Sequence, residues 1–247
     1  MSTQANRKAV SLPKATITYR RDVTDDLWVI RLRPEVPFTF KPGQYCTSGV
    51  EGVERAYSIV SAPHEEELEL FVELVPPPTG QLTPLLYELA EGAEVTMRPR
   101  AKGLFTFKEQ WADHFMVSTV TGVCPFVSIL RDYLHYGRSG HRFYVLEGAS
   151  YDDELTYDGE LREMESEHPE LITFVPTVSR PREERNRGWT GESGRVNTIV
   201  QRCLERFGLE PSSTLVYACG HPGMIEDVKD QLSPKGWTVE EERFWKE

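Results

Sequence analysis

Residues 55–58 read Arg-Ala-Tyr-Ser, so a guanidinium, a phenol ring and a hydroxyl fall within four positions. The surrounding run, Arg55 to Pro63, has the aromatic and β-branched content of a strand and ends on Ser-Ala-Pro. Strand alternation puts Arg55 and Tyr57 on one face and Ala56 and Ser58 on the other. A guanidinium fork suits phosphate oxygens, a phenol ring packs on flat rings, and a hydroxyl can donate or accept. Alone, the alternation says only that this strand carries an odd polar face.

Three further stretches place small or basic residues where strands should end. In 118–126, STVTGVCPF, Thr121 and Gly122 lead into a helix, a place where backbone N–H groups can meet a pyrophosphate. An ordinary strand-to-helix turn has the same appearance. In 177–195, Ser179 and Arg180 are followed by Arg182, Arg185, Arg187 and Arg195. An arginine near a ribose accommodates the 2′-phosphate of NADP, where an acidic residue favours NAD. Arg182, Arg185 and Arg187 read better as a solvated loop paired with Glu183 and Glu184. In 217–224, YACGHPGM, Cys219 and Gly220 close an apolar strand, where a cysteine is commonly just a small buried residue.

The elements that must position these residues change character near residue 110. Before it, 15–23, 27–34, 38–50, 55–61, 68–76, 93–100 and 103–107 read as strands or extended segments. The first two are joined by a Thr24-Asp25-Asp26 turn. Only 81–92 has apolar residues at helical spacing. This predicts an antiparallel Greek-key β-barrel. After it, apolar strands at 114–120, 141–150, 171–179, 213–220 and 238–245 alternate with helices at 126–137, 155–170, 195–208 and 223–236. That pattern predicts an α/β domain with a parallel sheet. The expected division is a flexible lead over 1–14, a barrel over 15–110 and the α/β domain over 111–247.

Net charge is −11, which argues against nucleic acid as a partner. The first 110 residues carry 13 basic and 15 acidic residues, the remainder 15 and 24, so the acidity lies in the second part. No apolar run is long enough to cross a bilayer, and the N-terminus lacks the apolar middle of a secretory signal, so a cytoplasmic location is expected. The four cysteines, at 46, 124, 203 and 219, and the six histidines show no metal-binding spacing.

In order along the chain stand KPGQY (41–45), RAYS (55–58), GQLTPLL (80–86), TGVCPFVSIL (121–130), ACGHPGM (218–224) and the aromatic pair Phe244-Trp245. This ordered set resembles the bacterial ferredoxin–NADP reductase family, over nearly the whole chain. The resemblance implies an FAD-binding barrel, an NADP-binding α/β domain and a flavin between them. It implies that Tyr57 packs on the isoalloxazine, Ser58 hydrogen-bonds near its N5, Arg55 pairs with the pyrophosphate and Ala56 adds backbone contacts. Phe71, Val72 and Glu73 would flank the flavin. Gln81, Leu82 and Thr83 would open a helix facing the pyrophosphate, and Thr121 would also reach FAD. For NADP(H) it implies Gly122, Ser150, Ser179, Arg180, Arg195, Cys219 and Gly220, with Cys219 beside the nicotinamide. Phe244 or Trp245 would cover the other flavin face; Ser58, Cys219 and Trp245 form the implied catalytic set.

The sequence departs from the family pattern at three places. Val120 stands at the first glycine of the glycine-rich element and Cys124 at its small residue. Ser150 stands where close bacterial relatives can carry an arginine. Lys246 and Glu247 follow the aromatic pair. The implied activity is hydride transfer between NADP(H) and FAD and single-electron transfer between FAD and ferredoxin or flavodoxin, by a monomer. Arg98, Arg100 and Lys102 are candidates for the carrier's docking surface. An NAD(P)H reductase serving an oxygenase, and a non-catalytic flavin-binding electron-transfer or sensor subunit, are the alternatives.

Overall fold

The structure is a computed structural model and describes residues 12–243. The expected flexible lead therefore falls largely outside the described residues, as do Phe244 and Trp245.

Six antiparallel strands form the first unit: β1 (Lys14–Asp22), β2 (Leu27–Pro34), β3 (Tyr45–Val50), β4 (Val53–Ser58), β5 (Leu68–Glu73) and β6 (Glu94–Met97). Their order is β4-β3-β6-β1-β2-β5, so β4 and β5 are the edges. The β1–β2 hairpin turns where Thr24 Oγ1 accepts the Leu27 N–H at 3.1 Å. Trp28, Ile30, Leu32, Leu70, Val72 and Val95 fill the interior. Just past the end of β4, the Val60 N–H donates to the Glu69 carbonyl on β5 at 2.9 Å, which draws the two edges together into a barrel. Between β4 and β5 above that bond the barrel wall has a seam.

Three segments differ from the sequence pattern. The helix expected over 81–92 is α1 (Thr83–Tyr87), five residues with Pro84 in its first turn. Residues 103–107 alternate like a strand but form none. Phe105 leaves the barrel and packs on Phe126 and Tyr217 of the second unit, at ring distances of 5.9 and 5.2 Å, so tertiary packing overrides the alternation. At the start, the Met97 N–H donates to the Pro13 carbonyl at 2.8 Å and Lys14 already belongs to β1.

The second unit holds β7 (Asp113–Thr119), β8 (Arg142–Ala149), β9 (Ile172–Val178), β10 (Glu192–Ser193), β11 (Thr214–Gly220) and β12 (Thr238–Arg243). They form one parallel sheet in the order β10-β9-β8-β7-β11-β12. Helices α2 (Cys124–His135), α3 (Asp158–Glu167), α4 (Val196–Phe207) and α5 (Pro222–Leu232) supply the crossovers. The chain starts at central β7, winds outward through β8 and β9, then returns to β11 beside β7. That makes β7/β11 the topological switch point, where open α/β sheets bind ligands at the carboxyl ends of their strands.

One apolar cluster runs through both units, with Leu27, Val29 and Phe71 of the barrel packed with Phe126, Val127 and Tyr217. The polar ties at this junction are buried or part-buried. Ser128 Oγ donates to the Ser61 carbonyl at 2.8 Å. Glu69, 5% exposed, takes Arg31 at 3.0 Å, the Tyr157 hydroxyl at 3.1 Å and Arg131 at 3.3 Å. Arg131 also binds Glu160 bidentately at 2.7 and 2.8 Å. A carboxylate so surrounded is a fully hydrogen-bonded network, the condition under which buried charge is tolerated.

Candidate active site

The barrel seam opens into a cavity of about 840 Å³, lined by Arg55, Ala56, Tyr57, Ser58, Phe71, Val72, Glu73, Gln81, Leu82, Thr83 and Thr121. These are the eleven described residues to which the family resemblance gave FAD contacts. The residues of both faces of β4 meet the cavity together. The reason is that β4 is an edge strand, so a ligand approaches along its open backbone row and not onto one face.

The polar groups of this cavity are arranged unequally. Ser58 is 6% exposed, and neither its Oγ nor the buried Tyr57 hydroxyl has a hydrogen-bond partner. Burial pushes the Tyr57 phenol well up, so it stays neutral. Arg55 is exposed; its guanidinium donates to the Gln81 side chain at 2.9 Å and to the Glu54 carbonyl at 2.7 Å. This fixes the cation across the cavity mouth, between β4 and the loop before α1.

Sequence reasoning missed Val75, Thr79 and Gly80 in the lining and treated Cys124 only as a departure. The first three lie in a proline-rich loop without periodicity. Thr83 Oγ1 takes the Val75 N–H at 2.9 Å and returns a bond to the Val75 carbonyl at 3.1 Å, folding the loop back on α1. Gly80 allows this, because a Cβ there would lie 1.6 Å from the Val75 carbonyl oxygen. The glycine in GQLTPLL was the available signal. Burial pushes the Cys124 thiol far up, so it enters the lining as an apolar, protonated group.

The residues assigned to the nucleotide lie elsewhere, along the carboxyl edge of the parallel sheet. Gly122 packs against β11, where a Cβ would come within 2.2 Å of the Cys219 carbonyl oxygen. Gly220, at φ +122°, touches Thr119, whose Oγ1 accepts the His221 N–H at 2.8 Å. These contacts close the switch point tightly. Val120 sits between them at φ +43°, a left-handed conformation that strains a β-branched residue. The position suits glycine, and the chain pays there with backbone strain.

Cys219 is wholly buried, and burial foremost pushes its thiol well up, with Glu242 and Cys124 adding to the effect. It is a packed thiol, outside the cavity lining. Its neighbour by strand register is Glu242, whose Oε2 is buried without a partner and whose carboxyl is raised by burial to about 7. Nothing in the local sequence TVEEERFW singles this glutamate out from its neighbours.

Ser150 and Ser179 follow the ends of β8 and β9, where the Ser179 N–H donates to the Ala149 carbonyl at 2.9 Å. Arg180 reaches the Tyr151 hydroxyl at 2.9 Å. Arg195 is exposed just before α4, with no carboxylate partner among the described residues. The loop arginines do not share one behaviour. Arg187 pairs with Glu184 at 3.1 Å, whereas Arg185 crosses to Asp153, bidentately at 2.8 and 2.7 Å.

The cavity fits FAD on the structure's own terms. Its volume is near the upper end of the roughly 300–1,000 Å³ usual for small-molecule sites. It also combines apolar walls, a guanidinium at the mouth and two buried hydroxyls without protein partners. Among the described residues no group of three or more histidine, cysteine, aspartate or glutamate side chains could hold a metal ion. No helix of the described residues is long and apolar enough to cross a membrane.

Comparison with known proteins agrees with this geometry. The oxidoreductase NAD-binding domain family matches residues 116–230, the body of the parallel-sheet unit. The chain is 30% identical over 231 residues to ferredoxin–NADP reductase A of Sorangium cellulosum, covering 87% of this chain and 80% of that one. It is 27% identical over 239 residues to the flavodoxin/ferredoxin–NADP reductase of Buchnera aphidicola subsp. Baizongia pistaciae, covering 88% and 92%. A ferredoxin NADP+ reductase from Neisseria gonorrhoeae, crystallised with FAD and NADP, shares the fold with a TM-score of 0.81 at 23% identity, over 96% of this chain and all of that one. With an antiparallel barrel seamed beside a doubly wound parallel sheet and 30% identity over 87% of its length, the chain belongs to the ferredoxin–NADP reductase family.

Proposed function

We propose that the protein is an FAD-dependent oxidoreductase that exchanges hydride with NADP(H) and single electrons with a ferredoxin- or flavodoxin-type carrier. The observation that carries this reading is the seam cavity with its two unpartnered buried hydroxyls beside a fixed arginine. Bound there, FAD would supply the conversion between a two-electron donor and a one-electron acceptor. The chain's own contribution is to hold and orient. Tyr57 offers a neutral ring as a stacking floor, Ser58 Oγ a hydrogen bond to a ring nitrogen, and Arg55 charge at the diphosphate. Phe71 and Val72 exclude water from the apolar side. Glu242, poised at about 7 beside Cys219, can hold or release a proton at Oε2 near neutral pH.

On the partner side, residues 98–108 carry four cations and no acidic residue in a chain of net charge −11. Arg98 is occupied by Glu54 at 2.6 Å, but Arg100 and Lys102 are exposed, with no carboxylate partner among the described residues. Leu104 beside them is 86% exposed. A basic patch with an exposed leucine suits an acidic carrier. Neutralising Arg100 and Lys102 should slow carrier reduction several-fold at low salt and leave ferricyanide reduction intact. Equal losses of both would remove the docking assignment.

The central test is anaerobic. The purified protein should be yellow or become so with FAD, should bleach on addition of NADPH, and should recolour when an oxidised ferredoxin or flavodoxin is added. A protein that cannot be reconstituted with FAD would refute the reading. Bleaching without transfer to either carrier would favour another electron acceptor, such as an oxygenase.

A further inference from the structure

The arginine best placed for a nucleotide phosphate is already engaged by the chain itself. Arg180 Nη1 donates to the Tyr151 hydroxyl at 2.9 Å, and that hydroxyl donates to Glu183 Oε2 at 2.5 Å. Glu183 Oε1 stands 3.8 Å from Arg180 Nη1. Two guanidinium groups approach the Tyr151 ring, Arg185 at 4.1 Å and Arg180 at 5.4 Å from its centroid. Arg185 in turn is held by Asp153. Arg180 and Arg185, the two cations on the Tyr151 ring, thus each have a carboxylate partner.

This arrangement is built and not incidental to a loose loop. Asn186 is 1% exposed and ties the two loops together. Its Nδ2 donates to the Ser150 and Arg180 carbonyls, each at 2.9 Å, and its Oδ1 accepts the Asp152 N–H at 2.9 Å. The Ser150 and Tyr151 N–H groups both donate to Glu154 Oε2, at 2.8 and 3.2 Å. Tyr151 and Arg180 are therefore presented at a fixed separation at the ends of β8 and β9, where a parallel sheet meets its ligand.

We propose that Glu183, acting through Tyr151, sets the nucleotide preference of the enzyme: it occupies Arg180 and opposes a 2′-phosphate there, so that NADH is accepted alongside NADPH. The inference rests on the NADP(H) assignment above and refines it. A 2′-phosphate on Arg180 competes with the Tyr151–Glu183 pair at Nη1 and lies beside a carboxylate of its own sign. A ribose with a free 2′-hydroxyl meets neither obstacle. Ser150 at the end of β8 supplies no compensating cation, whereas Arg195 is exposed nearby without a carboxylate partner among the described residues. Both Arg180 and Glu183 side chains are 52% exposed, so solvent screens the repulsion and the effect is graded.

The test is binding of 2′-AMP and 5′-AMP to the FAD-loaded protein by calorimetry, with kcat/KM for NADPH and NADH measured in parallel. Glu183→Gln should tighten 2′-AMP by about fivefold and leave 5′-AMP unchanged, as expected for removing one screened like charge. The ratio of kcat/KM for NADPH over NADH should rise by a similar factor, through KM. Arg180→Gln should weaken 2′-AMP, and in that background Glu183→Gln should lose its effect. Unchanged 2′-AMP affinity in Glu183→Gln, equal changes for 5′-AMP, or a gain that persists without Arg180 would each overturn the proposal. If wild type bleaches with NADPH while Glu183→Gln behaves like it, only this inference fails. If neither nucleotide bleaches or binds wild type, the NADP(H) assignment falls and takes the inference with it.

Discussion

The seam cavity and the nucleotide edge solve opposite problems with similar residues. In the cavity, Tyr57 and Ser58 end in buried hydroxyls with no partner, and burying such groups unpaired costs roughly 1–3 kcal/mol each. At the nucleotide edge, Tyr151, Arg180 and Arg185 all have partners within the chain. A site with unsatisfied groups is improved by its ligand and releases it reluctantly. A self-satisfied site must give up bonds to bind, and so exchanges its ligand readily. The contrast is the one expected between a resident cofactor and a substrate that must come and go on every turnover.

The comparison is broken most directly at Tyr57. Tyr57→Ala removes the stacking floor and should weaken FAD retention about 5- to 150-fold, from a stacking contribution of ~1–3 kcal/mol. The ratio of flavin to protein absorbance after gel filtration reads this. Tyr57→Phe should retain the cofactor, and equal losses in both variants would transfer the role from the ring to the hydroxyl.

Between the two regions sits Glu147 on β8, fully buried with both carboxyl oxygens unpartnered, and pushed far above the ordinary 4.5 mainly by burial. The folded protein keeps this proton while the unfolded chain releases it. Glu147 therefore adds no pH-dependent cost below about pH 4.5 and a progressively larger one as pH rises toward its folded value. Glu147→Gln should gain on wild type as pH rises from 5 to 8, a widening difference that urea unfolding at several pH values reads. A pH-independent difference would mean that Glu147 is ionised in the fold.

Ser58→Ala should keep the yellow colour and slow the hydride step about tenfold in anaerobic stopped-flow, the loss of one hydrogen bond of ~1–1.5 kcal/mol. An unchanged rate would reduce Ser58 to a strand residue. The smallest effect belongs to Val120→Gly. Relief of left-handed strain, worth ~1–2 kcal/mol, nearly offsets the loss of the side chain and of backbone entropy, so stability should stay within about 1 kcal/mol of wild type. A loss of several kcal/mol would show that Val120 packing outweighs its backbone strain.

What could be read from the sequence was local or ordered along the chain. Residues 55–58 sit together on one edge strand, so their proximity in space follows from proximity in sequence. The alternation of strands and helices after residue 110 reflects a parallel sheet whose crossovers are also local. Residues 103–107 mislead because their alternation serves two different units: Phe105 crosses the junction while Leu104 faces solvent. Arg185 reads in sequence as a partner of its neighbours Glu183 and Glu184, yet its partner is Asp153, 32 residues away on another loop. Glu147 does carry a signal in the sequence, a single acid inside the apolar run FYVLEGA of a central parallel strand. The Val120 departure is visible as a missing glycine, and its cost becomes concrete only as a backbone angle.

The barrel seam has a consequence for how the protein lives before it is loaded. Its edge strands β4 and β5 are bridged by the Val60–Glu69 bond at one end and separated by the cavity above it. A ligand seated there touches both edges and acts as a stave closing the wall. Without it, the weakest line of the barrel runs through Arg55–Ser58 and Phe71–Glu73, and fluctuations begin where the chemistry will later take place. Any ligand that binds only the closed barrel stabilises it by mass action, so the unloaded chain opens more often and is the form a protease would cut first.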